Sequence, residues 1–557
     1  LFFKDEVQMI RALTVFLLLA GSQAHALVDM KNANYSNSWV DMDVPGSGYA
    51  MKIVRTYNSR SLFNGMFGFG WCSDFETAMT KTPEGNIKVK ECGGGLEVTY
   101  SPREVTRKDV ETTISNIISK MKADKKVGQT EAFYKKLSTD LLEDDNARAD
   151  YARQYDISVP IKEGTKFFAN GKEVENFVFN KTYYTRNMVD GTSQRFNLDG
   201  RLTHIYDKNG NFLKFEYDKD LIKDVTDNNS RRLTFKYYPN KKVKVISGPN
   251  GIAADYKFAN LDDLSTVVNA WKKAYTYEYD DLHNLTKATW PDKTFVAIKY
   301  NKKDDWVTSF TDRDKCVENY TYDFAPNDPK NHYWSLVKKT CGKEVTVENK
   351  YEFWHKQRAD GQVYLQRVLT VVNGSTTDIS YHEIFGKPTS IRRNNEKIAY
   401  EYYADGQVKV KASPTVRMTF EYDPQNKKVS QVSSIFYNDK NVKVGTKTSN
   451  FKYDAKGNLT FASNSDGQKI TMTYDNKGRI ATITDQAKKI VQIEYEERYG
   501  KPSVVTRPGL GTIRVSYKSS GEINKIDSKE GPSVAMQVAS TFNNLLDVVA
   551  PATAEVF

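Results

Sequence analysis

The chain has 557 residues, of which 81 are Lys or Arg and 70 are Asp or Glu, for a formal charge of +11. A single hydrophobic core stops growing near about 250–300 residues, so one conventional globular domain is excluded. The bases are interleaved with nearly as many acids and form no dense block, which argues against specific nucleic-acid binding and leaves an excess that suits an acidic cell-surface polymer.

The first predicted element, within residues 1–26, is a leader. Met9-Ile10-Arg11 precedes an apolar run from Ala12 to Ala20 and a small-x-small site at Ala24-His25-Ala26, the pattern of a secretory signal peptide cleaved before Leu27. The run is too short to span a bilayer. Because the chain opens on Leu1, Met9 is the expected initiator. No later apolar stretch is long enough to cross a membrane, so the expected location is secreted, periplasmic or at the cell surface.

Residues 27–102 read as a small β domain. Lys52 to Tyr57 alternates as a short strand, while Pro45-Gly46 and the glycines from Gly65 to Gly70 mark turns. Arg55 and Arg60 are expected to pair with nearby carboxylates such as Asp41 or Asp43. From 103 to 160 the pattern changes. Val110, Ile114, Ile117, Ile118 and Met121, then Phe133, Leu137, Leu141 and Leu142, fall at helical spacing, and Val127-Gly128-Gln129 divides them. An inserted antiparallel helical hairpin is expected, as a packing decoration, a lid or a docking arm.

Residues 161–530 repeat a unit at a spacing of about twenty-one residues, the signature of stacked supersecondary units. Tyr217, Tyr237, Tyr256, Tyr277, Tyr300 and Tyr322 form one run; after Tyr351 and Tyr381 it resumes at Tyr402, Tyr422, Tyr453, Tyr474, Tyr495 and Tyr517. Asn284 to Tyr300 (NLTKATWPDKTFVAIKY) aligns without a gap on Asn458 to Tyr474 (NLTFASNSDGQKITMTY). Each unit therefore reads as a strand, a tight turn and a returning strand. In Tyr453-Asp454-Ala455-Lys456-Gly457 and Tyr474-Asp475-Asn476-Lys477-Gly478 the Asp is expected to accept a backbone N–H two residues on. Gly or Asn would take the left-handed conformation there. Triplets such as Phe235-Lys236-Tyr237 and Phe420-Glu421-Tyr422 put two aromatics on one face, where stacking in register would form aromatic ladders.

Four cysteines in an oxidising compartment allow three pairings. Cys316 and Cys341 bracket two strand-like runs almost symmetrically about Asn327-Asp328-Pro329-Lys330, which points to a cross-strand disulfide. Cys72 with Cys92 is the remainder, although a simple hairpin about Pro83-Glu84-Gly85-Asn86 would not place them directly opposite. In the tail, 531–557, Val534, Val538, Phe542, Leu545 and Val549 share one face of an amphipathic helix, expected to cap an open sheet edge.

Reaction chemistry has no motif here. There is no Gly-x-Ser-x-Gly elbow, P-loop or dinucleotide fingerprint, and Gly386 stands where a zincin opening at His382-Glu383 needs its second histidine. Asp207-Lys208-Asn209-Gly210 lacks the glutamate that closes a calcium loop. No catalytic residue, metal ligand or cofactor is assigned.

Tyr453-Asp454 to Gly457-Asn458-Leu459 and Tyr474-Asp475 to Gly478-Arg479-Ile480 resemble the RHS, or YD-repeat, family in full, and Tyr206-Asp207 with Gly210-Asn211 does so in part. Asp41 to Gly46, Arg55 to Arg60 and Phe67 to Trp71 look like the domain that commonly precedes such repeats. The resemblance implies an all-β fold, a long antiparallel sheet of stacked hairpins curling into a shell or spiral. It also implies a non-catalytic bacterial scaffold enclosing or displaying a partner polypeptide. RHS shells often release a toxin by self-cleavage at an Asp-Pro-x-Gly-Leu motif; Arg507-Pro508-Gly509-Leu510 lacks the aspartate, and no room for a toxin domain is expected after it. The alternatives are a carbohydrate-binding adhesin stacking sugars on Trp271, Trp290, Trp306 and Trp334, and a glycan hydrolase whose paired carboxylates meet only in space.

Overall fold

The computed structural model describes residues 27–91, 97–102, 106–124, 129–169, 171–172, 174–342, 344–359, 361–394, 396–518 and 521–528, with scattered residues between 534 and 551. The expected leader lies outside them. Two compact units result, Ser73–Ile205 and a larger one that joins Leu1–Cys72 to Tyr206–Phe557. From Lys166 to Ser528, thirty-three strands follow one another in strict sequence order as one antiparallel sheet, and no ladder joins the last to the first among the described residues.

In the smaller unit, strands Ala78–Lys81, Ile87–Lys90 and Glu97–Tyr100 form a three-stranded sheet. Ser101 and Phe168 then exchange backbone hydrogen bonds of 2.8 and 2.9 Å. The helical segment thus leaves and re-enters at one point. It holds α1 (Arg107–Ala123), α2 (Glu131–Glu143) and α3 (Asp145–Gln154), one helix more than the expected hairpin. Asp144 ends α2 and caps α3, accepting from the Asn146 and Ala147 N–H groups, so the chain turns without a glycine. Ile114, Ile117, Met121, Tyr134, Leu137, Leu141 and Ala152 make the helical core. Arg148 ties α3 to the sheet, donating to Glu84 at 2.8 Å and to the Leu141 carbonyl at 2.7 Å.

In the larger unit, strands Leu27–Asp29, Asn34–Val44, Met51–Asn58 and Trp71–Cys72 form a four-stranded sheet, with a small hairpin of Asn64–Gly65 and Gly68–Phe69. The repeat tyrosines explain the array beside it. The register slips by one residue just before Tyr217, Tyr237, Tyr279, Tyr300, Tyr381, Tyr402, Tyr422, Tyr453, Tyr474, Tyr495 and Tyr517. Such a bulge disrupts the ladder locally. The next unit repairs it. Tyr300 Oη donates to the carbonyl of Leu285, the residue that pairs with Tyr279, and Tyr322 donates to Val307, which pairs with Tyr300. Tyr474, Tyr495 and Tyr517 do the same for Leu459, Ile480 and Pro502, at 2.6–2.9 Å. Each tyrosine therefore fastens its own hairpin to the bulge of the one before.

Two expectations change. Phe235 lies opposite Ile246, Tyr277 opposite Ala288, Phe420 opposite Val432 and Phe451 opposite Ala462. No aromatic ladder forms at these positions because the tyrosine recurs on alternate strands and the returning strands supply aliphatic partners. In the turns, Asp207, Asp454 and Asp475 accept N–H groups both two and four residues on. Gly210, Gly457 and Gly478 take positive φ as expected, but Lys272, Lys293, Lys315 and Lys488 do so as well, at 59–70°. Three of these turns open on Asn269, Asp312 or Asp485, whose side chain accepts N–H groups two and four residues on, whereas the turn of Lys293 opens on Trp290.

Candidate functional site

The expected frame of the repeat shifts at Tyr256 and Tyr277, and Tyr322 and Tyr351 have no register slip just before them. The residues at the bulge are Phe258 and Tyr279, not Tyr256 and Tyr277. Tyr256 and Tyr277 lie two residues earlier, fully buried, and reach the N-terminal sheet. There Asp41 and Arg55, 1% and 0% exposed, form an ion pair with Arg55 Nη2 at 2.9 Å from Asp41 Oδ1 and Nε also in contact. Tyr256 Oη donates to Asp41 at 2.9 Å, and Arg55 Nη2 donates to Tyr277 Oη at 3.1 Å. The guanidinium also lies 4.6 Å from the Trp71 ring centre. Burial pushes the Tyr277 and Tyr256 hydroxyls up and keeps both neutral.

The N-terminal sheet also takes up groups that the bulges leave unpaired. Val243 N–H donates to the Met66 carbonyl at 2.8 Å, Leu285 N–H to Tyr57 Oη at 2.8 Å and Val307 N–H to the Ala33 carbonyl at 3.2 Å. Trp71 Nε1 donates to Tyr279 Oη at 2.8 Å. Arg55 pairs with Asp41 as expected, whereas Arg60 meets the Asp304 carbonyl at 2.6 Å and Asp43 meets Lys52. The small domain is thus a plug on one face of the array, held by the same bulges that define the repeat.

The second cluster brings the repeat-signature residues together across about half the chain. Asn458 Nδ2 donates to Asn209 Oδ1 at 3.0 Å, Lys208 Nζ to the Gly457 carbonyl at 3.4 Å and Asn211 Nδ2 to the Lys477 carbonyl at 3.3 Å. The turn of Tyr206, Asp207 and Gly210 is therefore seated on the turns of Tyr453, Asp454 and Gly457 and of Tyr474, Asp475 and Gly478. Here the ribbon meets itself. A Cβ on Gly478 would stand 2.0 Å from Asn209 Cγ, so this glycine is needed for the contact as well as for its φ of 80°. Burial opposes the Asp454 and Asp475 charges, but bonds from Asn458 and Arg479 outweigh it and hold both carboxyls below their usual range. The plug locks the same seam. Ser47 Oγ donates to the Glu497 carbonyl at 2.9 Å, its own carbonyl accepts from Asn229 Nδ2, and Arg231 donates to the Val44 and Tyr49 carbonyls at 2.6 and 2.8 Å. Asn209, Ser47 and Asn229 carried no sequence signal, because their partners are some 180–450 residues away.

A disulfide joins Cys316 to Cys341; Cys92 lies outside the described residues. Val534 and Val538 pack on Ile513, and Val548 joins a cluster with Tyr400, Phe420 and Phe451, so these tail residues cover a sheet face where an edge cap was expected. Phe542 and Leu545 fall outside the described residues. Arg507 to Leu510 lines an open cavity of about 340 Å³ with Lys488 and Lys489. Of the four candidate sugar platforms only Trp271 is exposed, at 52%; Trp290 packs on Trp39, Trp306 on Tyr322, and Lys350 covers Trp334.

An RHS-repeat family model matches residues 453–488, which are the Tyr453 and Tyr474 units of the seam, and a domain of unknown function, DUF6531, matches residues 26–96. The chain carries RHS repeats. Among curated proteins none matches it. Similar solved structures are TcdB2-TccC3-TEV, at 11% identity over 90% of this chain with a TM-score of 0.42, and TcdB2-TccC3 without its hypervariable C-terminal region, at 12% over 97% and 0.42. A Photorhabdus luminescens Tc holotoxin pore carrying TccC3-D651A matches at 10% over 87%, with a TM-score of 0.30. The chain spans 28%, 30% and 31% of these three, respectively. The residues matched by the RHS model lie within the thirty-three-stranded sheet, and among the described residues no helix is long and apolar enough to cross a membrane.

Proposed function

We propose that this chain is an exported, non-catalytic RHS scaffold whose wound sheet encloses or displays a partner polypeptide. The seam carries the reading. A ribbon whose rim at 207–211 rests on its own rim at 454–458 and 475–479 has a walled inner face. The plug and the tail residues cover parts of that face, while Ile379, Ile391 and Ile398 stay half-buried on it. Half-buried isoleucines on such a face suit a polypeptide partner. The excess positive charge suits display at an acidic cell surface.

The test is expression of the whole chain with its leader in a bacterial host, followed by capture from the periplasm and medium and mass spectrometry of what co-purifies. The expected result is a chain that begins at Leu27 and retains a polypeptide protected from added protease until the scaffold is unfolded. A cytoplasmic chain with an intact leader, or an exported chain that holds nothing and turns over a glycan, would overturn it.

A further inference from the structure

Lys242, the residue just before strand Val243–Ser247, is buried to 6% exposure. Its Nζ is not in open solvent with an ordinary surface acid. It touches Asn64 Oδ1, lies 3.0 Å from the Gly65 carbonyl and 3.4 Å from Asp262 Oδ1. Asn64 Nδ2 in turn donates to that same Asp262 oxygen at 2.7 Å. An amine, a primary amide and a carboxylate thus meet in one cluster, drawn from the plug and from two neighbouring turns of the array.

The backbone holds all three in place. Val243 N–H is bonded to the Met66 carbonyl at 2.8 Å and Phe69 N–H to the Asp262 carbonyl at 3.0 Å. A Cβ on Gly68 would stand 2.2 Å from that carbonyl, so a glycine is required for the approach. Asn260 Oδ1 fixes the Asp262 turn by accepting its N–H at 2.8 Å. Asn64 and the Asp262 side chain, 37% exposed, face solvent, while the backbone bonds beneath them give the cluster the fixed geometry from which intramolecular reactions gain most of their rate.

We propose that Lys242 and Asn64 become joined by an isopeptide bond, with Asp262 as the proton carrier. Asp262 takes a proton from the Lys242 ammonium, and the freed amine adds to Asn64 Cγ. As the tetrahedral carbon forms, the amine gives up a second proton, the Cγ–Nδ2 bond breaks, and both protons, carried through Asp262, leave with Nδ2. One ammonium ion is released for each amide formed, and no oxidant, reductant or cofactor takes part. Asp262 accepts the hydrogen bond from Asn64, which with the nearby Lys242 charge outweighs partial burial and holds its carboxyl below the usual range, so it is ionised at neutral pH and can take a proton only in passing, as a carrier. The link would weld the plug to the array across 178 residues of sequence and, unlike a disulfide, would be indifferent to redox conditions.

Intact mass spectrometry of the purified full chain, with disulfides counted, tests this without any variant. The expected mass is lower than the sequence mass by one ammonia, and protease digestion yields a branched peptide containing Asn64 and Lys242. Lys242→Arg and Asp262→Asn are expected to restore the unlinked mass, whereas Asn64→Asp loses one water in place of ammonia. A wild-type chain at its unlinked mass, with Asn64 and Lys242 in separate linear peptides, overturns the bond. A linked Asp262→Asn chain overturns the proton-carrier role.

Discussion

Hairpins of one repeat behave differently at the start of the array and past its middle. Between Leu221 and Thr311 the inner positions Val225, Ile246, Tyr256, Val267, Tyr277, Ala288 and Ile298 are 0–4% exposed, and the plug takes the bulge N–H groups of Val243, Leu285 and Val307. Between Val363 and Tyr402 the corresponding isoleucines are half-buried. There, and again near the end, the residue opposite the bulge tyrosine is Pro388 or Pro502, which has no N–H to leave unpaired. The repeat builds the sheet in both regions. What fills the sheet is decided by residues that break the repeat.

The largest loss of stability is expected at the plug. Arg55→Ala leaves Asp41 buried without its cation, and a loss of about 3–5 kcal/mol is expected in urea unfolding. Arg479→Ala removes a cation from the pair with Asp475, whose side chains are 20% and 23% exposed, and is expected to cost less. Equal midpoints for the two variants would mean that the buried pair is not the anchor. The seam comes next. Gly467 and Gly478 share a φ near 80°, but a Cβ on Gly467 meets nothing within 4 Å while one on Gly478 meets Asn209. Gly467→Ala should cost only the backbone strain of about 1–2 kcal/mol. Gly478→Ala should cost more, and adding Asn209→Ala should relieve the clash, leaving the Gly467→Ala value plus about 1 kcal/mol for the lost Asn458 bond.

Repeat, period, strand–turn–strand unit and resemblance were all legible because they depend on neighbours within some twenty residues. The turn aspartates, the glycines and the Arg55–Asp41 pair belong to this class. The bulge frame was not legible at Tyr256 and Tyr277: an aromatic two residues early satisfies the same alternation, and only the register slip separates Phe258 and Tyr279 from them. The third helix was missed because Asp144 serves as both end and cap, so no glycine or proline announced it. The seam was visible as residues and hidden as a site. Asn209 looks like any turn asparagine until the ribbon has come round to place it on Gly478.

The tyrosine hydroxyls give the smaller effects and refine the same contrast. Tyr279→Phe removes the donor to Leu264 and leaves buried Trp71 Nε1 without its acceptor, for an expected loss of about 2–3 kcal/mol in the urea midpoint. In alkali, burial pushes the hydroxyls of Tyr474, Tyr495 and Tyr517 up to about 12. Raised values in the folded state mean that stability is intact below about pH 10, where unfolded tyrosine begins to ionise, and falls as pH rises toward 12. Phenolate absorbance at constant temperature should therefore lag behind that of free tyrosine and then rise together with unfolding. Tyr474→Phe loses the bond to Leu459 and a weak one of 4.0 Å to Met472 Sδ, and among the described residues no plug residue bonds to it, so about 1 kcal/mol is expected. If Tyr279→Phe and Tyr474→Phe cost the same, the plug does not lean on the bulge tyrosines. Its hold on the early hairpins would then rest on the ion pair and the packed rings alone.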